Sequence, residues 1–319
     1  MAPSDATAGV TAAERATRPL AILGPTASGK SALALALVRL LAEQGQRAEL
    51  VSIDSMQVYV GMDVGTATPS AAEQAAVPHH LIDLVAPTHP FTVGEFQQHA
   101  RRAIADVRGR GAVPLLVGGT GLYLRGVIDD LEFPGRFPDA LAELETEPDT
   151  EALHRRLAGL DPAAAARMEP NNRRRVLRAL EVTLGSGRPF SSFGPGLEAY
   201  PPTPYVQVAL RWPRAELDRR IAERYHRQMD DGFLAEVRAL RTLGPSRTAA
   251  QALGYRELLA HLEGETTLAE ALDLAITRTR QFARKQERWF RRDPRVEWID
   301  APPDPAAVLA HWNAAIAAR

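Results

Sequence analysis

Apolar residues in the first half of the chain come in short runs separated by longer amphipathic stretches. Leu20 to Leu23 is one such run, stopping at Gly24-Pro25, and Ser31 to Glu43 is an Ala/Leu-rich stretch that Gly45 can terminate as a helix. Glu49 to Ile53 is a second run, ending at Asp54. The helix-like stretch Val93 to Arg108 leads to a third, Val113 to Val117, ending at Gly118-Gly119. Strands alternating with helices predict a parallel sheet with helices on both faces, an α/β fold. Ligands of such sheets bind at the carboxyl ends of the strands, where the loops after Leu23, Ile53 and Val117 converge.

Past Leu131 the pattern changes. Pro134, Pro138 and Pro148 punctuate a stretch that becomes helical from about Thr150 to Gly185, which reads as a helical insertion. A return strand, Val206 to Trp212, follows the Gly/Pro-rich linker Gly194 to Pro204. Helices are then expected over Arg214 to Leu243, Ala249 to Leu262 and Leu268 to Arg292. In the last of these Ala271, Ala275, Ile276, Thr279, Phe282, Ala283, Gln286, Trp289 and Phe290 recur at the spacing of one buried stripe. A short strand, Val296 to Ile299, and a closing helix, Pro305 to Ala318, complete the pattern. The expected organisation is a disordered tail (1–18), the first part of a core (19–131), a helical insertion (132–204), and a largely helical C-terminal region completing the core (205–319). The tail lacks the apolar segment of a signal peptide, which favours the cytoplasm.

Composition narrows the choices. No apolar run approaches the ~18 residues of a membrane span. The absence of cysteine removes disulfides, thiolate zinc sites and cysteine nucleophiles together. The net charge of −1 conceals an asymmetry: residues 1–150 carry 11 basic and 18 acidic side chains, and residues 151–319 carry 27 and 21. A basic second half suits a polyanion, and equally an arginine-rich solvated surface. Only Lys30 and Lys285 are lysines among the 38 basic residues, so a lysine in this chain stands out.

Lys30 belongs to Gly24-Pro25-Thr26-Ala27-Ser28-Gly29-Lys30-Ser31, a G-x-x-x-x-G-K-[ST] phosphate-binding P-loop between a predicted strand and a predicted helix. Its glycines let backbone N–H groups turn toward phosphate oxygens, the helix N-terminus adds positive potential, and Ser31 can ligate Mg²⁺. Asp54, at the end of the second strand, has three readings: a cap for the following turn, a water-mediated magnesium ligand, or a general base. The Gly118-Gly119-Thr120-Gly121 loop is either a plain strand-to-helix turn or a place where Thr120 serves a phosphate or a leaving group. His79-His80 reads as packing or loop hydrogen bonding, since adjacent side chains diverge.

Beyond the P-loop the chain resembles the bacterial tRNA dimethylallyltransferases, the tRNA isopentenyltransferase family. The match rests on Ser52-Ile53-Asp54-Ser55-Met56-Gln57-Val58-Tyr59, Gly61 to Ala67, Pro78 to Asp83, Gly118 to Tyr123, Arg175 to Glu181, Leu253-Gly254-Tyr255-Arg256, and Thr279-Arg280-Gln281-Phe282-Ala283-Arg284-Lys285-Gln286. The resemblance implies that dimethylallyl diphosphate, with Mg²⁺, lies against Gly24, Thr26, Ala27, Ser28, Gly29, Lys30 and Ser31. It implies transfer of the dimethylallyl group to N6 of the adenosine 3′-adjacent to the anticodon, tRNA position 37, giving N6-isopentenyladenosine. Asp54 would be the base, Thr120 would assist near the diphosphate, and Arg224 would pair with diphosphate oxygens.

The tRNA anticodon stem-loop would be met by Asp54, Ser55, Met56, Gln57, Arg174, Arg175, Arg178, Gly254, Tyr255, Arg256, Arg280, Gln281, Arg284 and Lys285, with the insertion facing tRNA and Gln57 contacting the flipped base. A monomer that meets no membrane is expected. Three rivals share part of the pattern: a small-molecule kinase, a prenyltransferase acting on free AMP, and a non-enzymatic RNA-binding ATPase module.

Overall fold

The structure, a computed structural model, describes residues 10–194 and 196–318. It divides into two compact units, one made of the segments up to Ile128 and from Pro202 onward, the other of Asp129–Pro201. The sequence pattern placed the insertion slightly later, at 132–204. No helix among the described residues is long and apolar enough to cross a membrane.

The larger unit is built on one six-stranded sheet: β1 (Leu20–Leu23), β2 (Ala48–Ile53), β3 (His79–His80), β4 (Val113–Gly118), β5 (Val206–Arg211) and β6 (Val296–Asp300), in the order β3-β2-β4-β1-β5-β6. Every pairing is parallel. Alternate residues feed opposite cores, as the two-residue period of a strand requires. Leu20, Ile22, Leu50, Val113, Leu115, Val208 and Leu210 face the helices Lys30–Glu43 and Pro305–Ala317, with Trp312 fully buried among them. Ala21, Leu23, Val51, Ile53, Leu116 and Ala209 face the helices Val93–Gly109, Gly121–Ile128, Arg214–Asp230 and Leu268–Arg291. The crossover from central β1 runs to β2 on one side and that from neighbouring β4 runs to β5 on the other, a reversal that opens a crevice at their carboxyl ends.

The structure departs from the sequence pattern in places. Residues 10–18 are not a tail. Thr11 caps a helix over Ala12–Thr17, and Arg15, almost fully buried, donates to the Val10 carbonyl (2.5 Å), Gln46 (2.5 Å) and Asn313 (2.7 Å). Residues 1–9 of the expected tail lie outside the described residues. The expected 214–243 helix is two, Arg214–Asp230 and Phe233–Leu243, because Gly232 takes φ +95° between them. The 249–262 helix likewise divides, into Arg247–Ala250 and Tyr255–Leu262, at Gly254.

The smaller unit packs the helices Pro138–Glu145, Thr150–Leu160, Pro162–Ala165 and Arg173–Ser186 around Leu144, Leu153, Leu157, Met168, Val176 and Leu180. Buried Asp161 ties its segments together, accepting from Ala164 N (3.0 Å), Ser191 N (2.7 Å) and Ser191 Oγ (2.7 Å).

Candidate functional site

The P-loop leaves β1 through Gly24 at φ +137°, where a Cβ would sit 3.1 Å from the Leu210 carbonyl of β5, so the turn needs glycine. It enters the helix at Lys30. Ala27 also has positive φ, +62°, a conformation that costs an L-residue about 1–2 kcal/mol and is held from outside. Arg220 Nε donates to the Ala27 carbonyl (2.9 Å), Trp212 Nε1 donates to the Ser28 carbonyl (2.8 Å), and the Arg220 guanidinium stacks 4.5 Å from the Trp212 ring centroid. Gln286 grips a third point: its Oε1 accepts from Thr26 N (2.9 Å) and its Nε2 donates to the Gly119 carbonyl (2.8 Å).

Two cations line the crevice. Lys30 Nζ donates to the Pro25 carbonyl at 2.7 Å, and Arg224 Nη1 donates to Thr26 Oγ1 at 3.0 Å. Burial pushes the Lys30 ammonium down to about 8, with Asp54 opposing the shift and Arg224 reinforcing it. Burial also lowers Arg224, and Asp54 again opposes. Asp54, Lys30 and Arg224 therefore share one desolvated space with positive charge in excess, an arrangement that favours a multiply charged anion. Ser28 Oγ is buried in the P-loop with no hydrogen-bond partner among the described residues. Ser31, on the first helical turn, is exposed.

The opposite wall comes from the ends of β2 and β4. Asp54 Oδ1 accepts from Met56 N at 2.8 Å, so the carboxylate caps its own turn while it faces Lys30 and Arg224 electrostatically. Thr120 Oγ1 accepts from Ser55 N at 3.2 Å, tying the two strand ends together. They approach so closely that a Cβ on Gly118 would lie 2.1 Å from the Ile53 carbonyl oxygen. Gln57 is largely committed within the protein, accepting from Ser52 Oγ (2.7 Å) and donating to the Ala67 carbonyl (3.2 Å).

Beyond Gln57, the Asp63–Thr66 segment is clamped by Glu236. Its carboxylate accepts from Asp63 N (2.8 Å), Val64 N (2.8 Å), Gly65 N (3.0 Å) and Tyr255 Oη (2.5 Å). The Gly65 carbonyl in turn accepts from Arg224 Nη2 at 3.3 Å and from Gln228 at 3.0 Å. The clamp thus helps to aim Arg224.

Burial removes two of the expected RNA contacts, and several other residues expected there have partners within the protein. Tyr255 is fully buried with its hydroxyl on Glu236, and buried Gly254 packs under Phe233 and Tyr225, so neither is presented to RNA. Arg256 is drawn to buried Glu257 (2.9 Å) along with Arg278 (2.6 Å). Arg280 donates to the Asp218 carbonyl (3.0 Å). In the smaller unit, Arg178 holds the Pro134 carbonyl (2.6 Å) and Glu181 (2.9 Å). Arg174 and Arg175 in that unit, and Gln281, Arg284 and Lys285 on the Leu268–Arg291 helix, are exposed; Ser55 and Met56 are half-buried.

His79 bonds the Val77 carbonyl (2.7 Å) and His80 bonds Glu49 (2.7 Å), as packing residues do. Among the described residues no three His, Asp or Glu side chains form a metal-binding group. Sequence reasoning missed Trp212, Arg220, Glu236 and the bridging role of Gln286. For Gln286 a signal existed: an amide at a buried position of a largely apolar stripe.

The family model described as IPP transferase matches residues 57–293. A tRNA dimethylallyltransferase of Kineococcus radiotolerans is 51% identical over 289 residues, covering 89% of this chain and 90% of the relative. One from Thermobifida fusca is 48% identical over 291 residues, covering 89% and 90%. The crystal structure of the full-length tRNA isopentenylpyrophosphate transferase from Bacillus halodurans superposes with a TM-score of 0.66 at 37% identity, covering 93% of this chain and 95% of that one. A eukaryotic dimethylallyltransferase acting on tRNA shares the fold, with a TM-score of 0.77 at 24% identity over 94% of this chain and 79% of that one.

Proposed function

This chain belongs to the IPP transferase family, and we propose on that footing that it transfers a dimethylallyl group from dimethylallyl diphosphate to N6 of the adenosine 3′-adjacent to the anticodon, tRNA position 37. The observation that carries the site assignment is the meeting of Lys30, Arg224 and Asp54 at one end of the sheet.

An adenine N6 amine is a weak nucleophile, because its lone pair is delocalised into the ring. Asp54 accepts its proton as the N6–C1 bond forms, while the C1–O bond breaks and diphosphate leaves with the electron pair. Lys30, Arg224 and P-loop N–H groups hold the charge growing on that leaving group. The unpartnered Ser28 hydroxyl adds a donor to the same cradle. Thr120 keeps the Asp54 turn in place through Ser55 N. The target base must leave its stack to reach the crevice, at a cost of about a few kcal/mol.

Magnesium fits the exposed Ser31 hydroxyl beside the P-loop if diphosphate and water supply the other ligands, as this ion prefers. Ser31 would hold it, and when bound it would neutralise diphosphate charge. Exposed Arg284 and Lys285, with Arg174 and Arg175 of the smaller unit, serve the RNA backbone. A tRNA substrate favours the cytoplasm as the place of action. The test is acceptor competition: purified protein, labelled dimethylallyl diphosphate, and unmodified tRNA, AMP or ATP. Label should enter tRNA alone; label in AMP would overturn the assignment of the acceptor.

A further inference from the structure

The Leu268–Arg291 helix carries exposed Arg284 and Lys285. On its inner face, one residue further on, is Gln286, 7% exposed. The Gln286 amide spans the crevice floor, with Oε1 on Thr26 N of the P-loop (2.9 Å) and Nε2 on the carbonyl of Gly119 at the end of β4 (2.8 Å). The fit leaves no slack, since a Cβ on Gly119 would lie 2.4 Å from Gln286 Nε2. One turn along, Trp289 keys onto the next glycine, where a Cβ on Gly121 would lie 2.1 Å from Trp289 Nε1. The same helix reaches the arginine-bearing helix Arg214–Asp230 through Thr279 and Tyr225 (2.8 Å) and through Arg280 and the Asp218 carbonyl. A shift of this helix would therefore be felt at Thr26, at the Gly119–Gly121 loop and beside Arg224.

We propose that Gln286 is a positioning residue that couples the P-loop to the Arg284-Lys285 surface, so that RNA on this helix and diphosphate in the loop tighten each other's binding. The proposal rests on the reading of tRNA and dimethylallyl diphosphate as the substrates. RNA on the outer face fixes the helix, and Gln286 transmits that order to Thr26, whose N–H and hydroxyl belong to the loop and to the Arg224 contact. Coupling between two sites is reciprocal, and a factor of about 5 to 150 is the ordinary range.

The test measures dimethylallyl diphosphate affinity with and without an anticodon stem-loop whose target adenine is replaced by purine, so that no amine is present to react. In the wild-type protein the stem-loop should tighten dimethylallyl diphosphate about fivefold or more. In Gln286→Met, similar in length but without the bridging amide, the ratio should fall toward one while stem-loop affinity alone is retained. An unchanged ratio in the variant, or a ratio of one in the wild type, overturns the proposal. If neither ligand binds the wild-type protein, it is the substrate reading that fails. A second measurement needs no variant: hydrogen exchange of residues 24–30 should slow when the purine stem-loop alone is added to wild-type protein, and unchanged exchange there refutes the coupling.

Discussion

Replacing Asp54 by asparagine removes one charge and very little else. The retained Oδ1 still accepts from Met56 N, now 2.8 Å away, and the Thr120 bond to Ser55 N does not involve the carboxylate. Folding stability should therefore change by less than about 1 kcal/mol. Electrostatics should change more. Asp54 is the group that opposes the lowering of both Lys30 and Arg224, so without it the Lys30 ammonium falls further below about 8. The crevice loses a negative charge while Lys30 becomes easier to deprotonate until a bound diphosphate raises it again, so dimethylallyl diphosphate should bind about as well as before. The rate should drop, since a positioned base contributes about 10²- to 10⁴-fold, or about 3 to 5 kcal/mol of barrier. Single-turnover transfer to saturating tRNA gives the rate constant, equilibrium binding gives the diphosphate affinity, and thermal unfolding controls for stability. A rate constant within threefold of wild type would leave Asp54 as a turn cap only. A loss explained by weaker diphosphate binding would assign it to the leaving group and not to N6.

Four further outcomes follow from the same geometry. Because the Lys30 ammonium sits near 8 in the free protein and a bound diphosphate must raise it, dimethylallyl diphosphate affinity should be full below about pH 8 and decline above it; Lys30→Ala should remove that dependence, together with turnover, and spare stem-loop binding. The folded protein also binds fewer protons than the unfolded chain between about 8 and the ordinary 10.5, so the Lys30 contribution should make the ligand-free protein more stable as pH rises through that window, a trend readable in urea midpoints. Replacing Arg284 and Lys285 together by glutamine should weaken tRNA binding and flatten the plot of log K against log salt by about 1.4, at about 0.7 per phosphate contact, while a solvated face would leave affinity and slope unchanged. Gly65→Ala places a Cβ 2.3 Å from Phe233 and 2.4 Å from Tyr255, so it should cost about 1–3 kcal/mol in denaturant unfolding and lower activity through Arg224; an unchanged midpoint would mean that the two rings move aside freely.

The features legible in the sequence are those that local chemistry dictates. The apolar runs ending at Leu23, Ile53 and Val117 predict β1, β2 and β4 because a strand covered on both faces has few alternatives, and the P-loop is legible because its backbone demands glycine at fixed positions. The two-residue strand His79–His80 is too short to leave a pattern. The Arg214–Asp230 and Phe233–Leu243 helices share one amphipathic rhythm, so only the left-handed turn at Gly232 reveals the break. Charge without a partner list misleads in a different way. Arg256 and Arg280 read as tRNA contacts alongside Arg284 and Lys285, yet buried Glu257 and the Asp218 carbonyl engage the first two. Motif membership marks Gly254 and Tyr255 as constrained. It does not say that the constraint is Glu236 and the Gly65 turn, contributed by segments far apart in the chain.

The central claim is that the P-loop of this chain holds a leaving group and transfers no phosphate. The direct measurement is a single turnover on unmodified tRNA with dimethylallyl diphosphate labelled in both the allyl and the diphosphate parts, followed by digestion to nucleosides. The account predicts allyl label on N6 of one adenosine, the one beside the anticodon, with one diphosphate released for each label incorporated and no ATP required. Phosphate label on any product other than free diphosphate, or allyl label on an atom other than N6, would contradict it.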